Sequence, residues 1–100
     1  MTISSPTPAY LVGQVTVRDP ELWARYVAGV AESLQSYAAE LVFRGRHARD
    51  LAGRQSRELV VVIRFADLDE LNRWHDSDAY QALIPLRDRA ADVVITGYET

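Results

Sequence analysis

The stretch that decides the fold is Arg-Glu-Leu-Val-Val-Val-Ile-Arg-Phe at residues 57–65, followed by Asp-Leu-Asp-Glu at residues 67–70. The first segment is β-branched and apolar at most positions, which is typical of a central strand covered on both faces. The second segment predicts a helix start with a capping box, in which Asp67 accepts from the Glu70 amide and Glu70 reaches back. A buried strand leading directly into a helix indicates a mixed helix and sheet domain.

The elements before this stretch are a strand and a long helix. Residues 9–17 have the β-branched content of a strand, with apolar residues on both faces. Asp19 and Pro20 predict a helix start, with the carboxylate as N-cap and proline where no N–H is needed. The helix is expected to end near Tyr37. Its apolar residues recur every three or four positions and form one stripe that faces a sheet, namely Leu22, Trp23, Tyr26, Val27, Val30, Leu34 and Tyr37.

The second helix is predicted to be interrupted and then to lead into a last strand. Residues 76–78, Asp-Ser-Asp, supply a second set of caps, so the helix breaks there and restarts, running to about Ala90. Pro85 lacks the N–H that a helix interior needs, which predicts a kink. Residues 92–98 form the last strand, with Gly97 marking a bulge or an end.

Between these elements lie a short strand and a basic connection. Residues 40–44 are the predicted second strand, and residues 45–56 are an exposed connection to the third. Five arginines give this hairpin a local positive charge: Arg44, Arg46, Arg49, Arg54 and Arg57. An anionic partner is one explanation, and a solvated loop balanced by neighbouring acidic residues is the commoner one. No aromatic residue is interleaved among these arginines, which argues against nucleic-acid binding.

The element order is therefore β-α-β-β-α-β, the order of the ferredoxin-like α+β fold, with a four-stranded antiparallel sheet and helices on one face. Residues 9–100 are expected to form one domain, preceded by a flexible tail at residues 1–8.

The chain has 100 residues, a formal charge of −3 and no cysteine. Disulfides and thiolate metal sites are excluded. Without a signal or membrane-spanning pattern, a cytoplasmic protein that does not engage membranes is expected.

Several short motifs, in this order and spacing, resemble the DUF1330 family of the dimeric α+β barrel superfamily. They are Ala9-Tyr10, Asp19-Pro20-Glu21, Arg44-Gly45, the strand from Leu59 to Phe65, Trp74-x-x-Ser77-x-x-Tyr80-Gln81, and Leu86-Arg87. The resemblance implies a homodimer in which two sheets meet through their bare faces. The chain departs from the family pattern at residues 38–40, Ala-Ala-Glu, where the family has a glycine pair and a basic residue. This difference weakens an anion-binding role at the start of strand 2.

Metal chemistry is not expected, because the two histidines, His47 and His75, lie in different elements without tight ligand spacing. No metal and no other cofactor is predicted. His75, beside Asp76 and Asp78 at a helix break, is a candidate catalytic base. The alternative is a histidine that faces solvent at the end of a helix.

The most informative cluster is aromatic, with one arginine. Trp74 and Tyr80 on the second helix, with Trp23 and Tyr26 on the first, are predicted to line a substrate cleft; plain core packing is the alternative. Arg87, following Tyr80, is the second catalytic candidate, since arginine binds a carboxylate or enolate bidentately. Its alternative is an ion pair with Asp88 or Asp92.

Two functions follow as hypotheses. The first is a homodimer that binds and transforms a small organic molecule without metal or prosthetic group, oxygenase-like or isomerase-like by superfamily analogy. It predicts a cavity of at least roughly 300 Å3 lined by Tyr26, Trp74, Tyr80 and Arg87. The second is a noncatalytic ligand-binding or accessory dimer. Both predict an isologous interface between sheets that buries more than roughly 1,200 Å2.

Overall fold

A computed structural model describes residues 7–100, so the predicted N-terminal tail at residues 1–8 falls mostly outside the described residues. The elements follow in the predicted order. They are β1 (Ala9–Val17), α1 (Pro20–Leu34), β2 (Ala39–Arg46), β3 (Leu59–Phe65), α2 (Leu68–His75), α3 (Asp78–Gln81), α4 (Ile84–Ala90) and β4 (Ala91–Glu99). The strands lie in the order β2-β3-β1-β4 and all pairs are antiparallel. The ferredoxin-like prediction is confirmed.

The core lies between the sheet and the helices. Ala9 and Leu11 of β1 pair with Phe65 and Ile63 of β3, and all four side chains are buried against the helices. The helices add Tyr26, Leu71, Trp74 and Tyr80 to this cluster. The other sheet face, here called the open face, has no covering element within residues 7–100 and exposes large apolar side chains, among them Phe43, Val94 and Tyr98.

The predicted helix starts are confirmed, but the capping box is not reciprocal. Asp19 accepts hydrogen bonds from the amides of Glu21 and Leu22, and Asp67 accepts one from the Glu70 amide at 2.8 Å. Glu70 does not reach back to Asp67. Its carboxylate accepts from the Ala38 amide at 2.9 Å and pairs with Arg73. The Ala38 amide therefore takes the place of the Asp67 amide as the donor to Glu70, and this hydrogen bond links α2 to the start of β2.

The second helical region consists of three pieces instead of the predicted two. The break at residues 76–78 is confirmed, since the Ser77 hydroxyl accepts from the Tyr80 amide at 3.2 Å and caps α3. The predicted kink at Pro85 is wrong. Helix α3 ends at Gln81, and Pro85 lies in the first turn of α4. Backbone N–H groups in a first turn have no partner within the helix, so proline costs no hydrogen bond there.

Two other boundaries differ from the prediction. Helix α1 ends at Leu34 and not near Tyr37, and the following turn is closed by a hydrogen bond from the Tyr37 amide to the Leu34 carbonyl. Gly97 marks neither a bulge nor an end. It pairs with Leu11 in the regular ladder between β1 and β4.

Strand β2 is longer than predicted and contains a β-bulge. Leu41 pairs with Ile63, but Phe43 pairs with the next residue, Val62, so Val42 is the extra residue. A bulge exchanges the two faces for every residue that follows it. Arg44 and Arg46 consequently lie opposite Val61 and Leu59, on the face that the helices cover, while Phe43 lies on the open face.

Candidate functional site

A cavity of about 680 Å3 lies between α1 and the sheet. Helix α1 provides Trp23, Tyr26 and Val30, α2 provides Trp74, and β1 and β3 provide Gly13 and Val61 among the residues of the floor. This volume exceeds the predicted lower bound, and it lies in the range of small-molecule pockets, which are typically apolar with few polar groups.

A glycine in the middle of β1 leaves space at the floor of the cavity because it has no side chain. Gly13 is buried and pairs with Val61 on one side and Ile95 on the other. A Cβ atom at this position would lie 2.9 Å from the Cγ1 atom of Val61, closer than such contacts normally are. Any larger residue would therefore displace Val61 and occupy space beneath α1.

Trp74 of α2 is held in place by a hydrogen bond to α1 and by ring contacts. Its indole N–H donates to the Ser33 hydroxyl at 2.9 Å, and that hydroxyl donates to the Val30 carbonyl at 2.7 Å. The ring packs against Tyr80 and Phe65, with centroid distances of 4.2 Å and 5.5 Å. Because both its polar atom and its faces are engaged, Trp74 presents a fixed wall to the cavity.

Tyr26, in the cavity wall, begins a hydrogen-bonded chain that continues behind the wall through Tyr80 to Arg87. The hydroxyl oxygens of Tyr26 and the fully buried Tyr80 are 2.9 Å apart, and the Arg87 Nη1 donates to the Tyr80 hydroxyl at 3.1 Å. Burial raises the pKa of Tyr26 far above its ordinary value, and the bond to Tyr80 adds to the effect. Tyr26 is therefore a neutral phenol at physiological pH and cannot serve there as a base.

The predicted site residues are only partly brought together. Trp23, Tyr26 and Trp74 line the cavity. Tyr80 does not line it but supports Tyr26 from behind. Arg87 lies one step further out, and its predicted alternative is present, since its Nε donates to the Asp88 carboxylate at 3.0 Å.

His75 lies apart from the cavity. It ends α2, its side chain is 44% exposed, and its Nδ1 is 3.1 Å from the Asp76 carboxylate. The ring packs beside Tyr80 with centroids 5.3 Å apart, and His75 is not among the residues that line the cavity. This placement corresponds to the solvent-facing alternative that the sequence left open.

Two lining residues were missed by the sequence reasoning. Arg44 and Arg46 border the cavity from β2, whereas the sequence offered a hairpin that contacts an anionic partner or, more commonly, a solvated basic loop. The bulge at Val42 brings them to this face. The signal in the sequence was the unbroken apolar run Leu41-Val42-Phe43, which does not alternate as a regular half-covered strand would.

Arg44 and Arg46 add positive charge along the β2 edge of an otherwise apolar cavity. Within residues 7–100, no carboxylate oxygen lies within 4.0 Å of either guanidinium group. The same part of the chain contains no group of three His, Asp or Glu side chains arranged to hold a metal ion. None of its helices is long and apolar enough to cross a bilayer.

Comparison with known proteins identifies the family. The family model described as "Domain of unknown function (DUF1330)" matches residues 8–98, nearly the whole chain, and the chain belongs to this family. The resemblance seen in the sequence is thereby confirmed. Comparison with curated proteins gives no match.

Solved structures share the fold at low sequence identity. The RPA0582 protein of Rhodopseudomonas palustris, of unknown function, is 16% identical with a TM-score of 0.79, covering 94% of this chain and 82% of that one. SnoaB of Streptomyces nogalater, described as a cofactor-independent oxygenase, is 12% identical with a TM-score of 0.69, covering 94% and 93%. A dimeric ferredoxin-like protein of unknown function from Thermobifida fusca is 12% identical with a TM-score of 0.63, covering 100% and 97%.

Proposed function

We propose that this DUF1330 protein is a homodimer that binds a small organic molecule beneath α1 and transforms it without a metal or prosthetic group. The observation that carries the proposal is the cavity of about 680 Å3 walled by Trp23, Tyr26 and Trp74. Rigid aromatic walls with a few polar groups are characteristic of sites for small organic ligands. A cytoplasmic location remains part of this proposal.

The polar chain behind the wall supports a role for Tyr26 as a hydrogen-bond donor. Arg87 has only N–H donors, so the Tyr80 oxygen must accept from it. The Tyr80 proton is then free to point to the Tyr26 oxygen, which leaves the Tyr26 proton for a ligand oxygen. A fixed neutral donor stabilises negative charge that develops on an enolate or peroxide oxygen. Arg87 would act through Tyr80 as a positioning residue, without touching the ligand.

An oxygenase-like or isomerase-like reaction is supported by the fold shared with SnoaB, which is an argument by analogy. The exposed His75 offers no support for its predicted role as the base. One observation favours the alternative, a ligand-binding or accessory dimer without turnover: within residues 7–100, the cavity lining contains no His, Asp or Glu side chain that could act as a base. Liquid chromatography with mass spectrometry of the small molecules recovered after incubation separates the two, since only an enzyme yields a product that differs from the bound compound in mass or, after an isomerisation, in retention time.

Binding is tested with 2-naphthol, a neutral aromatic probe, by isothermal titration calorimetry. Ala31 is an exposed residue of α1 that lines the cavity, and Ala28, one turn earlier, is exposed and does not line it. We expect Ala31→Phe to weaken binding at least about tenfold by occupying the cavity, and Ala28→Phe to leave it unchanged. Equal effects of the two variants, or absence of binding of both 2-naphthol and its carboxylate analogue 2-naphthoate to the native protein, would refute the proposed site.

The homodimer is supported by the open face of the sheet. Phe43 and Tyr98 are 51% and 54% exposed there, and Val94 is 39% exposed. Burying about 600 Å2 of apolar surface contributes on the order of 15 kcal/mol before the costs of association. Sedimentation equilibrium at micromolar concentration should show a dimer for the native chain and for Ala28→Arg, and a monomer for Val94→Arg. A native monomer would contradict this part of the proposal.

A further inference from the structure

The charged edge of the cavity results from the alternation of side chains between the two faces of β2. Arg44 and Arg46 are two residues apart and therefore share one face of the strand. Their pairing partners Val61 and Leu59 also line the cavity, which places both arginines beside the apolar space and not on the open face.

Acidic residues near this edge are engaged elsewhere. Glu40 pairs with Arg64 at 2.9 Å, Asp50 pairs with His47 at 2.7 Å, and Glu58 accepts from the Val17 amide at 3.3 Å. In residues 7–100 the guanidinium groups of Arg44 and Arg46 consequently have no carboxylate within 4.0 Å. Two cations beside an aromatic cavity are complementary to a ligand with an apolar body and an anionic end.

We propose that the ligand is an apolar organic carboxylate, with its charged end bound by Arg44 and Arg46 and its body against Trp23 and Trp74. This inference rests on the proposed function, and it adds the chemical class of the ligand. The guanidinium group matches a carboxylate in a bidentate geometry, and a hydrogen bond between charged partners is stronger than one between neutral groups. A neutral compound of the same shape would keep the apolar contacts and lose the charged ones.

The test compares 2-naphthoate with 2-naphthol, which share the same ring system. In the native protein we expect the carboxylate to bind about tenfold more tightly or better, the ratio expected of at least one charge-assisted hydrogen bond. The double variant Arg44→Gln/Arg46→Gln should bind both probes equally. Arg49→Gln, in the same hairpin but outside the lining, should keep the full preference.

A second variant separates charge from packing. Arg44→Lys/Arg46→Lys retains both charges, so it should bind 2-naphthoate more tightly than 2-naphthol, while losing part of the bidentate geometry. If the lysine variant loses the preference as completely as the glutamine variant, the effect is structural and the inference is overturned. Persistence of the preference in the glutamine variant also overturns it.

The two proposals fail in different ways. Binding of 2-naphthol without any preference for 2-naphthoate in the native protein would overturn the anionic ligand and leave the cavity function intact. If neither probe binds, the cavity function itself fails. Raising the salt concentration should weaken 2-naphthoate selectively, because exposed arginines are screened by ions.

Discussion

The substitution Tyr80→Phe should destabilise the protein strongly although it removes one oxygen atom. Tyr80 is fully buried, and its ring packs on Trp74, so phenylalanine preserves the apolar contacts. The lost hydroxyl leaves Tyr26 without its partner in a buried site, which costs about 1–3 kcal/mol. Arg87 loses an acceptor but keeps Asp88. We expect a total loss of about 2–3 kcal/mol, or about 10–20 °C in melting temperature for a domain of this size.

A double-mutant cycle in urea measures how much of this loss belongs to the pair. Tyr26→Phe alone leaves Tyr80 bonded to Arg87, so it should cost about 1 kcal/mol. The double variant contains no orphaned tyrosine hydroxyl and should cost about 1–2 kcal/mol less than the sum of the single variants. All measurements require one fixed protein concentration, because association stabilises a dimer by mass action.

Tyr37→Phe is the matched control. The Tyr37 hydroxyl makes no hydrogen bond within residues 7–100, and its loss should change stability by less than about 0.5 kcal/mol. Equal losses for Tyr80→Phe and Tyr37→Phe, or strictly additive costs in the cycle, would refute the reasoning that couples Tyr26 to Tyr80.

Two further predictions concern stability. The raised pKa of Tyr26 means that its contribution to stability is complete below the usual tyrosine pKa of 10.0 and declines above it, because the phenol ionises first in the unfolded chain. In urea unfolding one pH unit above that value, the free energy of unfolding should fall by about 1.4 kcal/mol more for the native protein than for Tyr26→Phe. Gly29→Ala places a Cβ atom 2.6 Å from the Cδ2 atom of Leu83, so thermal unfolding should show a loss of stability of about 1–3 kcal/mol despite the better helix propensity of alanine. Leu83→Ala should destabilise the Gly29→Ala variant less than it destabilises the native protein, because it removes the clash.

Local signals in the sequence predicted the elements well where neighbouring residues supply the whole structure. Asp19 and Ser77 cap helices with amides two or three residues away, so their roles follow from the sequence. Glu70 was predicted from the same kind of signal, but the Ala38 amide, 32 residues distant, competes for its carboxylate. The outcome at Glu70 depends on how α2 docks against the start of β2, which no local pattern contains.

The site was predictable where it rests on helix periodicity. The apolar stripe of α1 placed Trp23 and Tyr26 toward the sheet, and both line the cavity. Tyr80 and Arg87 were expected beside them on one restarted helix with a kink at Pro85. The chain instead turns between Gln81 and Ile84, so Tyr80 lies behind Tyr26 and Arg87 lies further out. The helical periodicity of a sequence cannot predict where side chains point once the chain has made such a turn.

The bulge at Val42 leads to the last prediction, because it determines which face the cavity arginines occupy. Val42 is the extra residue between the pairs Leu41 with Ile63 and Phe43 with Val62. Deleting it therefore leaves Phe43 opposite Val62 and Arg44 opposite Val61. The preference for 2-naphthoate should survive, with a stability change below about 1 kcal/mol, since the removed side chain is 48% exposed.

Inserting an alanine between Phe43 and Arg44 is the opposite perturbation. It moves Arg44 to the position opposite Val60 and turns both arginines to the open face, since a shift of one residue exchanges the faces of a strand. Calorimetry with the two naphthalene probes should then show the preference lost after insertion and kept after deletion. If deletion abolishes the preference and insertion preserves it, Arg44 and Arg46 do not owe their place beside the cavity to the bulge.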